Sequence, residues 1–384
     1  MIQRNLLSRI TALLDKFPII TVTGVRQSGK STLLCNSFPD FQYVSLEDPD
    51  IRMFAGEDPR GFLDTYDPPC ILDEVQRVPN LFSYLQTKAD KSGKMGEYIL
   101  SGSHNFLLMQ SISQSLAGRS AVLTLEPLSI NELKNSGLLP KDLNELMVNG
   151  FYPAIYDRNI APFEYFPSYT ATYVERDVRL IRNIPDAGSF MRFIKLLAVR
   201  SGQVVNKTEL SAASGVSVPT VNEWLSVLMQ SYIVFELQPY YQNYSKRLVK
   251  SSKIYFSDTG LLCSMLGIEN AGQLKEHPMR GNIFETMVVS EYRKRRLEKG
   301  FVPDAYFWRD SNQNEVDLLT EESGIVKAYE IKSGATMDRN YLQGLNKFSQ
   351  ISGIDIKNMS CIFSGDQSYT GTKGSFLRYD EAFN

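Results

Sequence analysis

The chain is 384 residues long, 43% hydrophobic and 22% charged, with a formal net charge of -2. That balance excludes a disordered, fibrous or membrane-embedded chain and supplies no whole-chain attraction to nucleic acid, although a local basic patch is compatible with it. The length exceeds that of one average core, so about two or three domains are expected.

The opening run from Met1 to Phe17 has helical spacing with charges spread through it, unlike the continuous apolar block of a signal peptide. No stretch approaches the about 18 uncharged apolar residues of a membrane span, so no membrane partner is expected. The four cysteines, Cys35, Cys70, Cys263 and Cys361, and the two histidines, His104 and His277, show no metal-ligand spacing. A structural zinc site is not expected, and scattered reduced thiols point to the cytoplasm.

An apolar strand, Pro18 to Thr23, leads into Gly24-Val25-Arg26-Gln27-Ser28-Gly29-Lys30-Ser31, and a helical run begins at Lys30. Strand, glycine-rich loop and helix in that order are what a phosphate chain requires. The glycines turn backbone N–H groups inward, Lys30 reaches the β and γ oxygens, and the Ser31 hydroxyl ligates Mg²⁺ at a helix N-terminus whose dipole favours anions. The expected nucleotide contacts are Gly24, Gln27, Ser28, Gly29, Lys30, Ser31 and Thr32, and the expected ligand is ATP with Mg²⁺.

Further strands are read at 41–45, 70–74, 98–101 and 121–125, with helix-length stretches between them, a parallel doubly wound α/β pattern. Cys70-Ile71-Leu72 is fully apolar and ends in Asp73-Glu74, at the carboxyl end of a strand where ligands bind in such sheets. Asp73 is the expected Mg²⁺ partner through a water, and Glu74 the general base for an attacking water. The next strand ends Ser101-Gly102-Ser103-His104-Asn105. Either Ser101 or Ser103 senses the γ-phosphate, or Ser103 or Asn105 caps a helix. The transition state also needs a cation, often an arginine from a neighbouring subunit; Arg119, Arg176 and Arg179 are the candidates. For the last two, a solvated helix with Glu175 paired to Arg179 is the competing reading.

Between 188 and 260 the order is a helix over 190–198, then a helix, a turn at Gly215 and a second helix, then strands at 233–237 and 253–256, the pattern of a winged helix. DNA contact would use Thr220, Asn222 and Ser226 on the second helix and Lys246, Arg247, Lys250 and Lys253 on the wing. That helix, however, carries Glu223 and no basic residue, so protein packing is the equal alternative.

From 281 onward the order is helix, three strands at 305–309, 315–319 and 327–332, a helix over 341–351 and a strand at 360–363, which resembles a restriction-endonuclease-like core. If Ser323-Gly324 forms a two-residue hairpin loop, Asp317 faces Glu330 and Glu315 faces Lys332. Alternation then gathers these four on one face and Val316, Leu318, Tyr329 and Ile331 on the other. The expected ligands of Mg²⁺ or Mn²⁺ are Asp317, Glu330 and Glu285 from the preceding helix, with Lys332 helping a water attack a phosphodiester.

The chain as a whole, over about residues 1 to 365, resembles the prokaryotic AAA-like ATPases whose loop reads Gly-x-Arg-Gln-x-Gly-Lys-Ser/Thr. Further matches are Leu72-Asp73-Glu74-Val75-Gln76, Ser101-Gly102-Ser103, Ser115-Leu116-Ala117-Gly118-Arg119, Pro127-Leu128-Ser129 and Tyr173 to Arg179. The resemblance implies a C-terminal domain of unknown function related to the nucleases, and with the unplaced arginines it motivates a homo-oligomer. The expected architecture is a P-loop ATPase domain at 1–140, a helical connector with a winged-helix-like module at 141–265 and a nuclease-like α/β domain at 266–384. The expected function is ATP hydrolysis by Lys30, Asp73 and Glu74, with Arg119 as the added cation, driving cleavage of DNA at Asp317, Glu330 and Lys332. The alternative is an ATP-dependent switch or assembly protein whose later domains bind partners without cutting.

Overall fold

The structure, a computed structural model, describes residues 2–103, 115–178, 184, 186–240, 251–310, 312–371 and 374–383, with 175–177 by backbone only. His104, Asn105, Arg179, Lys246, Arg247 and Lys250, and the Glu175 and Arg176 side chains, lie outside the described residues.

The chain is a mixed α/β protein of two compact units. The first comprises Met1–Leu128 with two short returns, Gln230–Tyr232 and Arg296–Val302. Its sheet contains β1 (Ile19–Thr23), β2 (Gln42–Ser45), β3 (Cys70–Asp73), β4 (Tyr98–Gly102) and β5 (Ser120–Thr124), all parallel in the order β2-β3-β4-β1-β5. Side-chain alternation sends residues to two separate cores. Ile19, Cys70, Leu72, Tyr98 and Leu100 face one, with Phe62, Phe82 and Leu85 from helices; Ile20, Val22, Ile71, Ile99 and Leu123 face the other, with Leu6, Ile10, Leu33 and Leu34. A parallel sheet covered on both faces explains why these strands read as continuous apolar runs.

Local signals set the helices. Asp48 accepts N–H bonds from Asp50 and Ile51 at the start of Pro49–Glu57, and Asp58 accepts one from Gly61 at the start of Pro59–Thr65, each cap being followed by a proline at the first helical position. Leu81–Ser92 stops at Gly93, whose φ of +63° is the left-handed termination that glycine accepts most readily.

The second unit holds Ser129–Met229, Ile233–Arg295 and Pro303–Asn384. It takes in most of the residues anticipated as connector and C-terminal domain and is built on one mixed nine-stranded sheet. The strands are β6 (Gln203–Val204), β7 (Val234–Pro239), β8 (Lys253–Phe256), β9 (Ala305–Arg309), β10 (Glu315–Glu322), β11 (Ile325–Lys332), β12 (Met359–Phe363), β13 (Tyr369–Gly371) and β14 (Gly374–Arg378). Their order is β13-β14-β12-β11-β10-β9-β7-β8-β6. Helix, turn and helix occur as read, Lys207–Ser214 capped by Asn206, Gly215 at φ +73°, then Val218–Gln230. Trp224 of the latter packs edge-on against Phe190 and Phe193 of Ala187–Ala198. Of the run Tyr173 to Arg179 read as helical, the described part, 173–178, belongs to Thr170–Val178, which winds as a π-helix continuing from Pro162–Tyr169.

The β10–β11 hairpin turns at Ser323-Gly324, with φ of +51° and +79°, and pairs Leu318 with Tyr329 and Glu322 with Ile325, the register deduced from the loop. One expectation fails. Against β9 the register slips by one between Val316 and Leu319, a bulge that sets Asp317 and Leu318 opposite Phe307. Val316 therefore shares the core of Leu319, Ala328, Leu345 and Phe348 instead of the opposite face.

Candidate functional site

At the carboxyl ends of β1, β3 and β4 the first unit gathers the phosphate-loop residues and both acidic residues. Gly24 has φ +139°, and a Cβ there would stand 2.1 Å from the Leu125 carbonyl oxygen. Its glycine is demanded by the approach of the chain leaving β5, a reason additional to the phosphates. Gln27 at φ +63° and Gly29 at φ +90° complete the reversal, and the helix Lys30–Ser37 starts directly behind. Arg4 spans the loop from behind, Nη1 donating to the Ser28 carbonyl and Nη2 to the Glu126 carbonyl, both at 2.6 Å. The buried Thr23 hydroxyl at the end of β1 meets the Tyr232 hydroxyl at 3.1 Å.

Lys30 Nζ donates to the carbonyls of Gly24 at 3.0 Å and Val25 at 2.8 Å. Burial pulls its ammonium down to about 8, against the raising pull of Glu74 and Asp73. Asp73, 5% exposed, receives the hydroxyls of Ser31 at 2.7 Å and Tyr43 at 2.6 Å, the Ser101 hydroxyl, and the Glu74 N–H at 3.1 Å. Glu74 stands at φ +54°, a costly conformation for a side chain with a Cβ. Its Oε2 accepts from the Gln76 amide and from the Ser103 hydroxyl at 3.1 Å. Backbone strain and two side-chain donors thus aim Glu74 apart from Asp73, although the two are sequence neighbours.

A divalent cation fits here. Asp73 is a buried carboxylate whose described partners are three hydroxyls and one N–H, with no cationic side chain in ion-pair reach, and the Ser28 hydroxyl is buried without a partner. Ser31 and Asp73 would hold Mg²⁺. Thr32, by contrast, is exposed. Arg119 is held by its own chain, Nε and Nη2 donating to the two Asp90 oxygens at 2.5 and 2.9 Å. Sequence reasoning missed Arg4 and Tyr43, because neither lies in a motif and each reaches its partner only through tertiary structure.

The second unit brings together Glu285, Glu315, Asp317, Glu330 and Lys332. Lys332 Nζ lies 2.5 Å from Glu330 and 3.4 Å from Asp317, whose Oδ2 also accepts the Ile331 N–H at 2.8 Å. Burial and the Asp317 charge push the Glu330 carboxyl up to about 8, and burial raises Glu285 to about 6. The unforeseen member is Lys253. Placed by its sequence position on an exposed wing, it is instead 2% exposed, with Nζ 3.0 Å from Glu285, 2.6 Å from Glu315 and 4.0 Å from Asp317. The Tyr255 hydroxyl donates to Glu285 at 2.6 Å. Lys253 therefore cannot serve as a wing contact to DNA phosphate.

These residues do not fit a divalent ion as they stand. Every carboxylate of the group is within 4 Å of a lysine ammonium, and among the described residues no three acidic, histidine or cysteine side chains are arranged to hold a metal. Of the helix residues read as base contacts, Asn222 is exposed and Thr220 and Ser226 half-buried. No described helix is long and apolar enough to cross a membrane.

Three family profiles match the chain in succession: an AAA domain at residues 16–134, a domain of unknown function (DUF8612) at 140–272 and a domain of unknown function (DUF4143) at 280–379. An uncharacterized protein of Mycobacterium tuberculosis is 29% identical over 340 residues, covering 87% of this chain and 74% of its own. One from Haemophilus influenzae is 25% identical over 386 residues, covering 91% and 92%. Among solved structures, a Walker-type ATPase of Pyrococcus abyssi aligns with a TM-score of 0.49 at 14% identity, covering 69% of this chain and 96% of that one. The matched profile and a phosphate loop that closes on Ser31 and Asp73 make residues 16–134 an AAA-like P-loop ATPase domain.

Proposed function

We propose that this protein binds ATP with Mg²⁺ in its first unit, hydrolyses it to ADP and phosphate, and uses the cycle as a switch on partners held by its second unit. The observation that carries this reading is the Ser31–Asp73 contact of 2.7 Å beside an independently aimed Glu74. Lys30 leaves the Gly24 and Val25 carbonyls for the β and γ oxygens. Glu74 accepts a proton from the water whose oxygen bonds the γ-phosphorus, while the bond to the β–γ bridging oxygen breaks and ADP departs. Ser101, bound to Asp73, relays the state of the γ-phosphate. Mg²⁺, when bound, neutralises charge on the phosphate oxygens. Arg119 can serve as the added cation only by releasing Asp90, so an arginine from a second copy, Arg176 or Arg179 included, is the proposed source in a cytoplasmic homo-oligomer.

The competing output is DNA cleavage at Asp317, Glu330 and Lys332 with Mg²⁺ or Mn²⁺ in a nuclease-like domain, after contact by a winged helix through Thr220, Asn222 and Ser226. The order Asp, then Glu-x-Lys on adjacent strands favours it, and the seat of Lys253 opposes it. The deciding experiment is phosphate release with and without single- and double-stranded DNA, with the DNA followed on a gel in Mg²⁺ or Mn²⁺. Turnover without cuts is expected. Metal-dependent nicking lost in Asp317→Ala would establish the nuclease, and absence of turnover would sink the switch.

Lys30 makes ATP affinity depend on pH. The free ammonium titrates near 8, and bound phosphates raise that value, so binding takes up a proton above this range. Affinity should be flat below pH 8 and weaken toward about tenfold per unit above it. A fluorescent-nucleotide titration from pH 7 to about 9.5 checks this. Lys30→Gln should bind more weakly without the slope; a flat wild-type profile would refute the assignment.

A further inference from the structure

Lys253 opens β8 (Lys253–Phe256), a strand whose four residues are all buried. A lysine at 2% exposure is rarely tolerated without partners, because an uncompensated ammonium in the interior costs several kcal/mol. Here the partners come from two other parts of the unit: Glu285 from the helix Arg280–Glu298, and Glu315 and Asp317 from β10. The ammonium also lies 5.5 Å from the centre of the Phe307 ring. Burial works against its charge, and the carboxylates of Glu285, Asp317 and Glu315 more than offset it, holding the group well above the ordinary lysine range.

We infer that Lys253 is the resident cation of this cluster: its ammonium occupies the position from which a divalent ion would bridge Glu285, Glu315 and Asp317, so these three carboxylates have their counter-charge without a metal. Charge bookkeeping agrees. Lys253, Lys332 and Arg309, the last 3.5 Å from Glu315, face four carboxylates, and burial raises the Glu330 carboxyl, disfavouring its charged form. A divalent ion also needs oxygen contacts near 2.1 Å in octahedral geometry if Mg²⁺ or Mn²⁺, and it would meet a fixed positive charge at the same oxygens. Removing the ammonium leaves a surplus of negative charge from two elements around a space the lysine head had filled. Lys253→Ala is therefore expected to create a metal site that the wild type lacks. This inference is independent of ATP turnover.

The test is a Mn²⁺ titration of the full chain without nucleotide, read from the electron paramagnetic resonance of free Mn²⁺, on the wild type, Asp317→Asn, Lys253→Ala and the double variant. The wild type and Asp317→Asn should give superimposable curves. Lys253→Ala should gain one site at least about tenfold tighter than any in the wild type, and adding Asp317→Asn should remove it. A stoichiometric wild-type site abolished by Asp317→Asn overturns the inference, as does a folded Lys253→Ala that gains nothing. Should Lys253→Ala fail to fold by circular dichroism, the wild type and Asp317→Asn curves decide alone.

Discussion

Glu74→Gln is expected to lower ATP turnover by about 10²- to 10⁴-fold while leaving ATP affinity within a few-fold of the wild type, the range for loss of a positioned general base. Glutamine preserves the size of the side chain and an oxygen to accept from Ser103 and Gln76, but it cannot take a proton from water. The phosphate loop is untouched, because Lys30 and Ser31 bind elsewhere, Lys30 to loop carbonyls and Ser31 to Asp73. Phosphate release and fluorescent-nucleotide binding, measured on the same preparation, separate the two effects. Affinity falling in step with turnover would mean that Glu74 shapes the nucleotide site; unchanged turnover would remove it from the chemistry. Ser103 supplies the contrast. Ser103→Ala deletes only an aiming contact and should cost much less than Glu74→Gln.

What could be read from the sequence follows how local each signal is. The phosphate loop is contiguous, and its glycines, lysine and serine each answer a need of phosphate, so its place after β1 and before a helix was legible without any tertiary contact. The β10–β11 register was legible for the same reason as far as Leu318 and Tyr329: Ser323-Gly324 sets a two-residue turn, and the turn sets the five pairs from Glu322–Ile325 to Leu318–Tyr329. The bulge at Asp317 and Leu318 was not, because it interrupts the pairing with β9 two residues beyond the 310–314 turn, where neither turn nor local residue pattern marks it. Lys253 misled for a related reason. Its neighbours Lys246, Arg247 and Lys250 make the segment look like a basic wing, and only the meeting of β8, β10 and the helix Arg280–Glu298 shows carboxylates separated by more than thirty residues waiting for it. Tyr43 and Arg4 belong with Lys253, since their roles exist only between elements.

Asp258 is the clearest such omission, and it carries the largest stability effect expected in the second unit. The residue is 1% exposed; its Oδ2 accepts the Phe151 N–H at 2.7 Å and its Oδ1 the Leu261 N–H at 2.9 Å, the latter capping the helix Thr259–Met265. Gly150, at φ +63°, lets the chain pass so close that a Cβ there would lie 2.4 Å from Oδ1. Burial raises the Asp258 carboxyl above its ordinary range, while Lys294 and the N–H donors pull it back. Lys294 is itself buried, its ammonium 3.6 Å from the centre of the Phe151 ring. Asp258→Ala would take the acceptor from the buried Phe151 and Leu261 N–H groups and remove the negative charge that Lys294 feels, a loss of about 3–5 kcal/mol. Asp258→Asn keeps an acceptor and should lose about 1–3 kcal/mol. Both tryptophans, Trp224 and Trp308, lie in this unit, so urea unfolding followed by tryptophan emission reports on it directly. A midpoint unchanged in Asp258→Ala would show that solvent, not Asp258, satisfies Phe151 and Leu261. A matching loss in Asp258→Asn would show that the charge, and with it Lys294, matters more than the two hydrogen bonds.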